Sequence, residues 1–261
     1  VGLTGFVYWL SVKFKMYFTA SQILIYSLAT LLVTALWFGV EWIINGSWFI
    51  KEFTNYQIRL FSTPDAGHGG FLGYHFVVLL LGCFPASIFA IPTLWKSPLP
   101  LNSESQKWQI DYRKWMLILF WVVLILFSIV QSKIVHYSSL CYFPLTYLSA
   151  TYLFSITKNR KKIHFKVIIA LLFVGLIISL IFITLPFAGK NIEILKPLFE
   201  KDLFVMGNLE ADITWSFWDI TPGLTLLITT LFSVFIFWKE DLSKKYSFRK
   251  NIVLLFGGSA I

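Results

Sequence analysis

The sequence predicts an all-α, polytopic integral membrane protein, with about six transmembrane helices and partial helices at both ends. Three observations predict it. The 261 residues are 57% apolar and only 13% charged, where a soluble domain averages about 25% charged. Six sustained apolar runs recur along the chain, and about 20 such residues cross a hydrocarbon core of roughly 30 Å. The basic residues gather in every second connection, the pattern that loops on the cytoplasmic side of a membrane show.

Taken in order, residues 1–12 read as the tail of one helix. The first full span is 21–44, "SQILIYSLATLLVTALWFGVEWII". The second is 75–95, and the third, 115–131, is short and rich in Leu, Ile, Val and Trp. The fourth, 139–157, follows after only seven residues. The fifth, 166–186, is the most uniformly apolar, and the sixth, 223–238, is again short. Residues 251–261 read as the start of a further helix. The whole, 1–261, is expected to be a single transmembrane domain and a portion of a larger membrane protein. Cys83 and Cys141 both fall in spans, where a thiol acts as a small apolar residue, so no disulfide is expected.

Charge sets the orientation. With residues 13–15 on one side, that side also receives Lys96, Lys107, Arg113 and Lys114, then "KNRKKIHFK" at 158–166 and "KEDLSKKYSFRK" at 239–250. It holds 16 of the 22 basic residues. The net charge of +9 is therefore a topology signal, and no nucleic-acid partner is expected.

Three segments lie on the opposite, outer face: 45–74, 132–138 and 187–222. The first contains "WFIKEFTNYQIRLF", which partly fits an amphipathic helix in the interface. Its Arg59 lies beside Leu60 and Phe61, and an Arg among apolar residues at that depth either snorkels or finds an anion. "TPDAGHGG" then breaks the helix and holds Asp65 and His68; a His can donate, accept or bind metal near neutral pH. In the short 132–138 segment, Lys133, His136 and Tyr137 stand together at headgroup depth. They suit two roles equally, a grip on a phosphate or interfacial anchors. The third segment carries Trp215, Phe217 and Trp218 with Asp212 and Asp219. It is expected to be ordered at the interface, where Trp is also an ordinary anchor.

Two stretches carry a resemblance. "SKIVHYSSLCYFPLTYL", 132–148, resembles the S-K-x-P-x-Y-x-x-P-x-x-P-L-A-x-L segment of polyprenyl-phosphate-sugar glycosyltransferases. These are the relatives of protein O-mannosyltransferase that include the lipid A aminoarabinose transferase. Residues 36–95 are similar to the same family's stretch that runs through "E-H-x-x-R-F" and "H-x-x-P-x-x-Y-Y". Family prolines are replaced by Val135 and Leu140, while Pro144 is kept. Tyr56 stands where the family has a metal-associated His, so no metal site is expected from these residues, although the family itself is compatible with a divalent metal.

The resemblance implies an inverting sugar transfer from a polyprenyl-phosphate donor to a lipid, glycan or protein acceptor. The setting it implies is the bacterial inner membrane, with membrane lipids around the chain and the active face outward. Arg59, Lys133 and Tyr137 would bind the donor phosphate. His68, His136, Asp65 and Tyr56 would contact the acceptor or handle protons. The family's catalytic carboxylates belong to an N-terminal part outside this sequence, so the chain is expected to be inactive alone. A transporter or lipid flippase is the competing class, distinguished by broken helices and mid-span charges. A non-catalytic membrane scaffold is a third class, one with no need to gather Arg, Lys, His and Tyr on one face.

Overall fold

The computed structural model describes residues 2–15, 18–64, 69–97, 107–159, 161–200, 203–211, 213–239 and 245–260. All regular structure among them is helical, and no strand occurs among the described residues. The chain is an all-α polytopic membrane protein. Four stretches are long and apolar enough to cross a membrane: Ala20–Asn45, Lys107–Ile129, Phe165–Lys190 and Phe217–Lys239.

Helix α1 (Gly2–Ser11) ends in an unusual turn. Phe14 N–H donates to the Trp9 carbonyl at 3.0 Å and Lys13 N–H to that of Leu10 at 3.1 Å. Together with the Phe14–Trp9 ring contact at 4.8 Å, this is a Schellman motif. Its left-handed position, however, is Lys13 (φ 55°) rather than Gly, and Phe14 (φ 63°) follows in the same region.

Helix α2 (Ala20–Asn45) opens on a capping box: the Thr19 hydroxyl accepts from Gln22 N–H and the Gln22 side chain accepts from Thr19 N–H. Not one of its residues is buried. Near its end Phe38 lies 5.6 Å from Phe53 of helix α3 (Trp48–Ser62).

The expected span 75–95 is two helices in tandem, α4 (Tyr74–Gly82) and α5 (Ala86–Trp95). Pro85 lacks the N–H that would continue the ladder and its ring disfavours helix in the preceding residue. Short as it is, α5 is the centre of the molecule. Phe89 faces a core formed with Tyr152, Leu171, Phe237 and Leu255, while Ala86 and Ala90 face a second core with Phe120, Leu124, Leu145 and Leu148.

Helix α6 (Lys107–Ile129) is followed by a 3-10 helix (Val135–Cys141) and then by α7 (Tyr142–Asn159). Helix α7 fills the position of the expected span 139–157. It buries Leu145, Leu148, Ser149, Tyr152, Ser155 and Ile156, one stripe at helical spacing. Its Tyr, Ser and Thr keep it below the apolarity of the other long helices.

Helix α8 (Phe165–Lys190) packs along α11 (Thr221–Lys239), and α12 (Lys245–Gly258) packs on α11. Between α8 and α11 the third outer segment, where described, forms α9 (Ile192–Phe199), α10 (Leu203–Leu209) and a 3-10 turn (Phe217–Ile220). Trp215 lies so close over Gly189 that a Cβ there would stand 2.2 Å from the indole nitrogen.

Two contacts separate the ends of the bundle. At one end, Lys114 Nζ donates to the Ser11 carbonyl at 2.9 Å, joining the start of α6 to the turn that carries Lys13 and Lys15. At the other, the chain leaving α6 bonds to the end of α3. The part of α6 from Lys114 to Ile129 holds these points about 22 Å apart at roughly 1.5 Å per residue.

Candidate lipid-phosphate site at the α3–α6–α7 end

The site begins with backbone. Gln131 N–H donates to the Phe61 carbonyl at 3.1 Å, Ser132 N–H to that of Leu60 at 3.2 Å, and the Ser132 hydroxyl to that of Thr63 at 2.8 Å. Three bonds thus fasten the last turn of α3 to the chain between α6 and α7. These residues are about 70 positions apart in sequence. The carbonyls at a helix end have no partner within the helix, and here a neighbouring strand of backbone supplies donors.

Arg59 stands in that last turn of α3. It is exposed, and its guanidinium carbon lies 5.2 Å from the centre of the Tyr56 ring, one turn earlier. A guanidinium over an aromatic face is a favourable pairing. His136 is exposed and Tyr137 half-buried; their rings lie 5.1 Å apart, edge to face. Tyr137 rests on Phe127 at 5.1 Å.

Lys133 is placed differently from the sequence-based expectation of an ammonium at the surface beside His136 and Tyr137. It is only 5% exposed. Its Nζ turns back under the chain and donates to the carbonyls of Ser128 and Val130, each at 2.6 Å, and of Phe127 at 3.4 Å. An ammonium has three donors, so Lys133 closes the C-terminal end of α6 much as a capping group does. Its charge also faces the negative end of the helix dipole. Burial lowers its pKa from the ordinary lysine value. Gly70 covers the side-chain stem: a Cβ there would stand 2.9 Å from Lys133 Cγ. Asp65 and His68 lie outside the described residues.

The residue that sequence reasoning missed is His75. It is completely buried, and neither ring nitrogen has a hydrogen-bond partner. It lies against Tyr74 at 5.1 Å and Phe127 at 6.3 Å. The signal was present in the sequence, since a histidine at the head of an apolar run is costly to bury in a membrane.

Among the described residues no group of three or more His, Cys, Asp or Glu could hold a metal ion. This end of the bundle carries an exposed guanidinium, an exposed imidazole, a half-buried phenol and a buried ammonium. The fold defines a multi-pass membrane protein whose basic connections gather toward one end. The chain matches no protein-family model, no curated protein and no solved structure.

Proposed function

We propose that this chain forms the donor-binding end of a membrane glycosyltransferase. It would take a sugar from a polyprenyl phosphate and pass it to an acceptor at the outer face of a bacterial inner membrane. The observation that supports this reading is the fastening of the α3 terminus to residues 131 and 132. It brings two sequence-distant segments, both resembling the glycosyltransferase family, to one end of the bundle.

In the transfer, the bond between the sugar's anomeric carbon and the phosphate oxygen breaks. Its electron pair stays on the lipid phosphate, and the acceptor oxygen bonds to the same carbon from the opposite side. The acceptor's proton goes to a carboxylate base in the N-terminal part outside this sequence. Arg59 stabilises the charge that grows on the leaving phosphate, and Tyr137 and His136 offer further donors. Lys133 contributes differently from the simple grip expected from sequence: it fixes the chain that carries these residues and adds positive potential from beneath.

The test is sugar transfer by the full-length protein in lipid. A hydrogen bond to a charged group is worth about 1.5–3 kcal/mol, so Arg59→Ala is expected to slow turnover roughly 10- to 100-fold. Arg59→Lys should lose much of the rate because an ammonium lacks the bidentate fork. Tyr137→Phe should be milder. Unchanged turnover in a folded Arg59→Ala protein overturns the reading and leaves Arg59 as an interfacial anchor. Movement of lipid-linked sugar across the bilayer without transfer would instead favour a transporter or flippase.

A further inference from the structure

A cavity of about 710 Å³ opens at the other, basic end, between α1, the first turns of α2 and the start of α6. Its wall is aromatic, built from Phe6, Tyr8, Trp9, Phe18, Tyr26 and Trp115. Tyr8 and Trp115 stack at 4.2 Å with 17° between their planes. Lys114 sits over the Tyr8 ring at 5.8 Å while its Nζ holds the Ser11 carbonyl. Those two contacts fix α1 to α6. Gly5 leaves the space open, since a Cβ there would only reach ordinary contact with Trp115, at 3.8 Å.

Lys15 is the charged residue of the lining. The left-handed turn at Lys13 and Phe14 carries it there. Residues other than Gly rarely hold that conformation, and such strain persists where the surroundings fix it, often at binding sites.

We infer that this cavity binds the hydrocarbon chain of an anionic membrane phospholipid, whose headgroup phosphate meets Lys15. The volume falls within the roughly 300–1,000 Å³ of small-molecule sites. The surface that these side chains turn to the cavity is almost all ring and hydrocarbon, which suits an acyl chain and leaves a peptide backbone unsatisfied. Lys13, Lys15 and Lys114 give the same end a positive charge, which complements the anionic headgroups found at the cytoplasmic surface. The length of α6 separates this cavity from the Arg59 end, so the inference does not depend on the glycosyltransferase reading.

The test is native mass spectrometry of the chain released from nanodiscs of equal phosphatidylglycerol and phosphatidylcholine. Phosphatidylglycerol should be retained in preference. Lys15→Gln should reduce that preference about fivefold, the effect of removing one basic residue near an anionic surface. Lys15→Arg should keep it. Gly5→Leu, which fills the cavity, should reduce retention of both lipids. Lys51→Gln, on α3 at the far end, should change nothing. Equal retention of the two lipids by the unaltered chain overturns the inference. So does full preference in Lys15→Gln, and this variant decides the matter even if Gly5→Leu does not fold.

Discussion

Lys133 and Arg59 look alike in the sequence, each a cation beside apolar residues in an outer segment, yet they answer to different physics. The Lys133 ammonium lies beneath the surface with three carbonyls as acceptors. Remove it and the end of α6 is left with buried carbonyls lacking donors, which costs roughly 1–3 kcal/mol for each group left unsatisfied. Lys133→Met should therefore lower thermal stability in detergent clearly, by at least about 1.5 kcal/mol. Arg59→Ala should cost less, because its side chain is exposed and shortening it leaves no buried helix-end carbonyl without its donor. Melting curves of the two purified variants check this. Equal melting temperatures for Lys133→Met and the unaltered chain would mean that the capping bonds do not matter. This difference was not legible in the sequence. Which way a lysine points depends on where the preceding helix runs out of donors, and periodicity does not report that.

Elements were legible wherever hydropathy alone decides them. The expected spans 21–44 and 166–186 are the helices Ala20–Asn45 and Phe165–Lys190, because long unbroken apolar runs have no other stable form in lipid. The break inside 75–95 was less legible, since Pro85 is a single residue within a run that hydropathy reads as continuous. How helices approach one another was not legible at all. Gly223 shows why. A Cβ on it would stand 2.8 Å from Ile183 N and 2.9 Å from the Ser179 carbonyl oxygen, both backbone atoms of α8. Side chains can turn aside, but helix backbone cannot, so α8 and α11 meet here only through glycine, as small residues permit in membrane bundles. Gly223→Ala should then force the helices apart and destabilise by about 1–3 kcal/mol, the usual range for overpacking. Gly207→Ala is the control, since nothing lies within 4 Å of a Cβ there. Thermal unfolding of both variants in the same detergent reads the difference. Equal stability would show that the approach at Gly223 is looser than its geometry.

For the whole molecule, the alternation of basic and non-basic connections and the packing of the helices are independent lines that agree. Charge alone puts residues 13–15, 96–114 and 158–166 on one side of the membrane. The contact of Lys114 with Ser11 joins the first two of these at one end. Helix α7 starts beside the far end of α6 and runs back for 18 residues, about 27 Å at roughly 1.5 Å per residue, which returns residues 161 and 162 toward the basic end. Thr63, by contrast, is fastened to Ser132 at the opposite end. Single cysteines at Lys162 and Thr63, both exposed positions, should consequently label from opposite faces with a membrane-impermeant thiol reagent. A cysteine at Lys15 should behave like the one at Lys162. Cys83 and Cys141, half-buried and buried among the helices, should contribute only background. The positive-inside tendency further requires that, in intact cells, Thr63→Cys is the variant that labels and Lys162→Cys becomes reactive only after permeabilisation. Labelling of both from one side would break the link between charge and topology here, and would leave Arg59 and the basic cavity on the same face of the membrane.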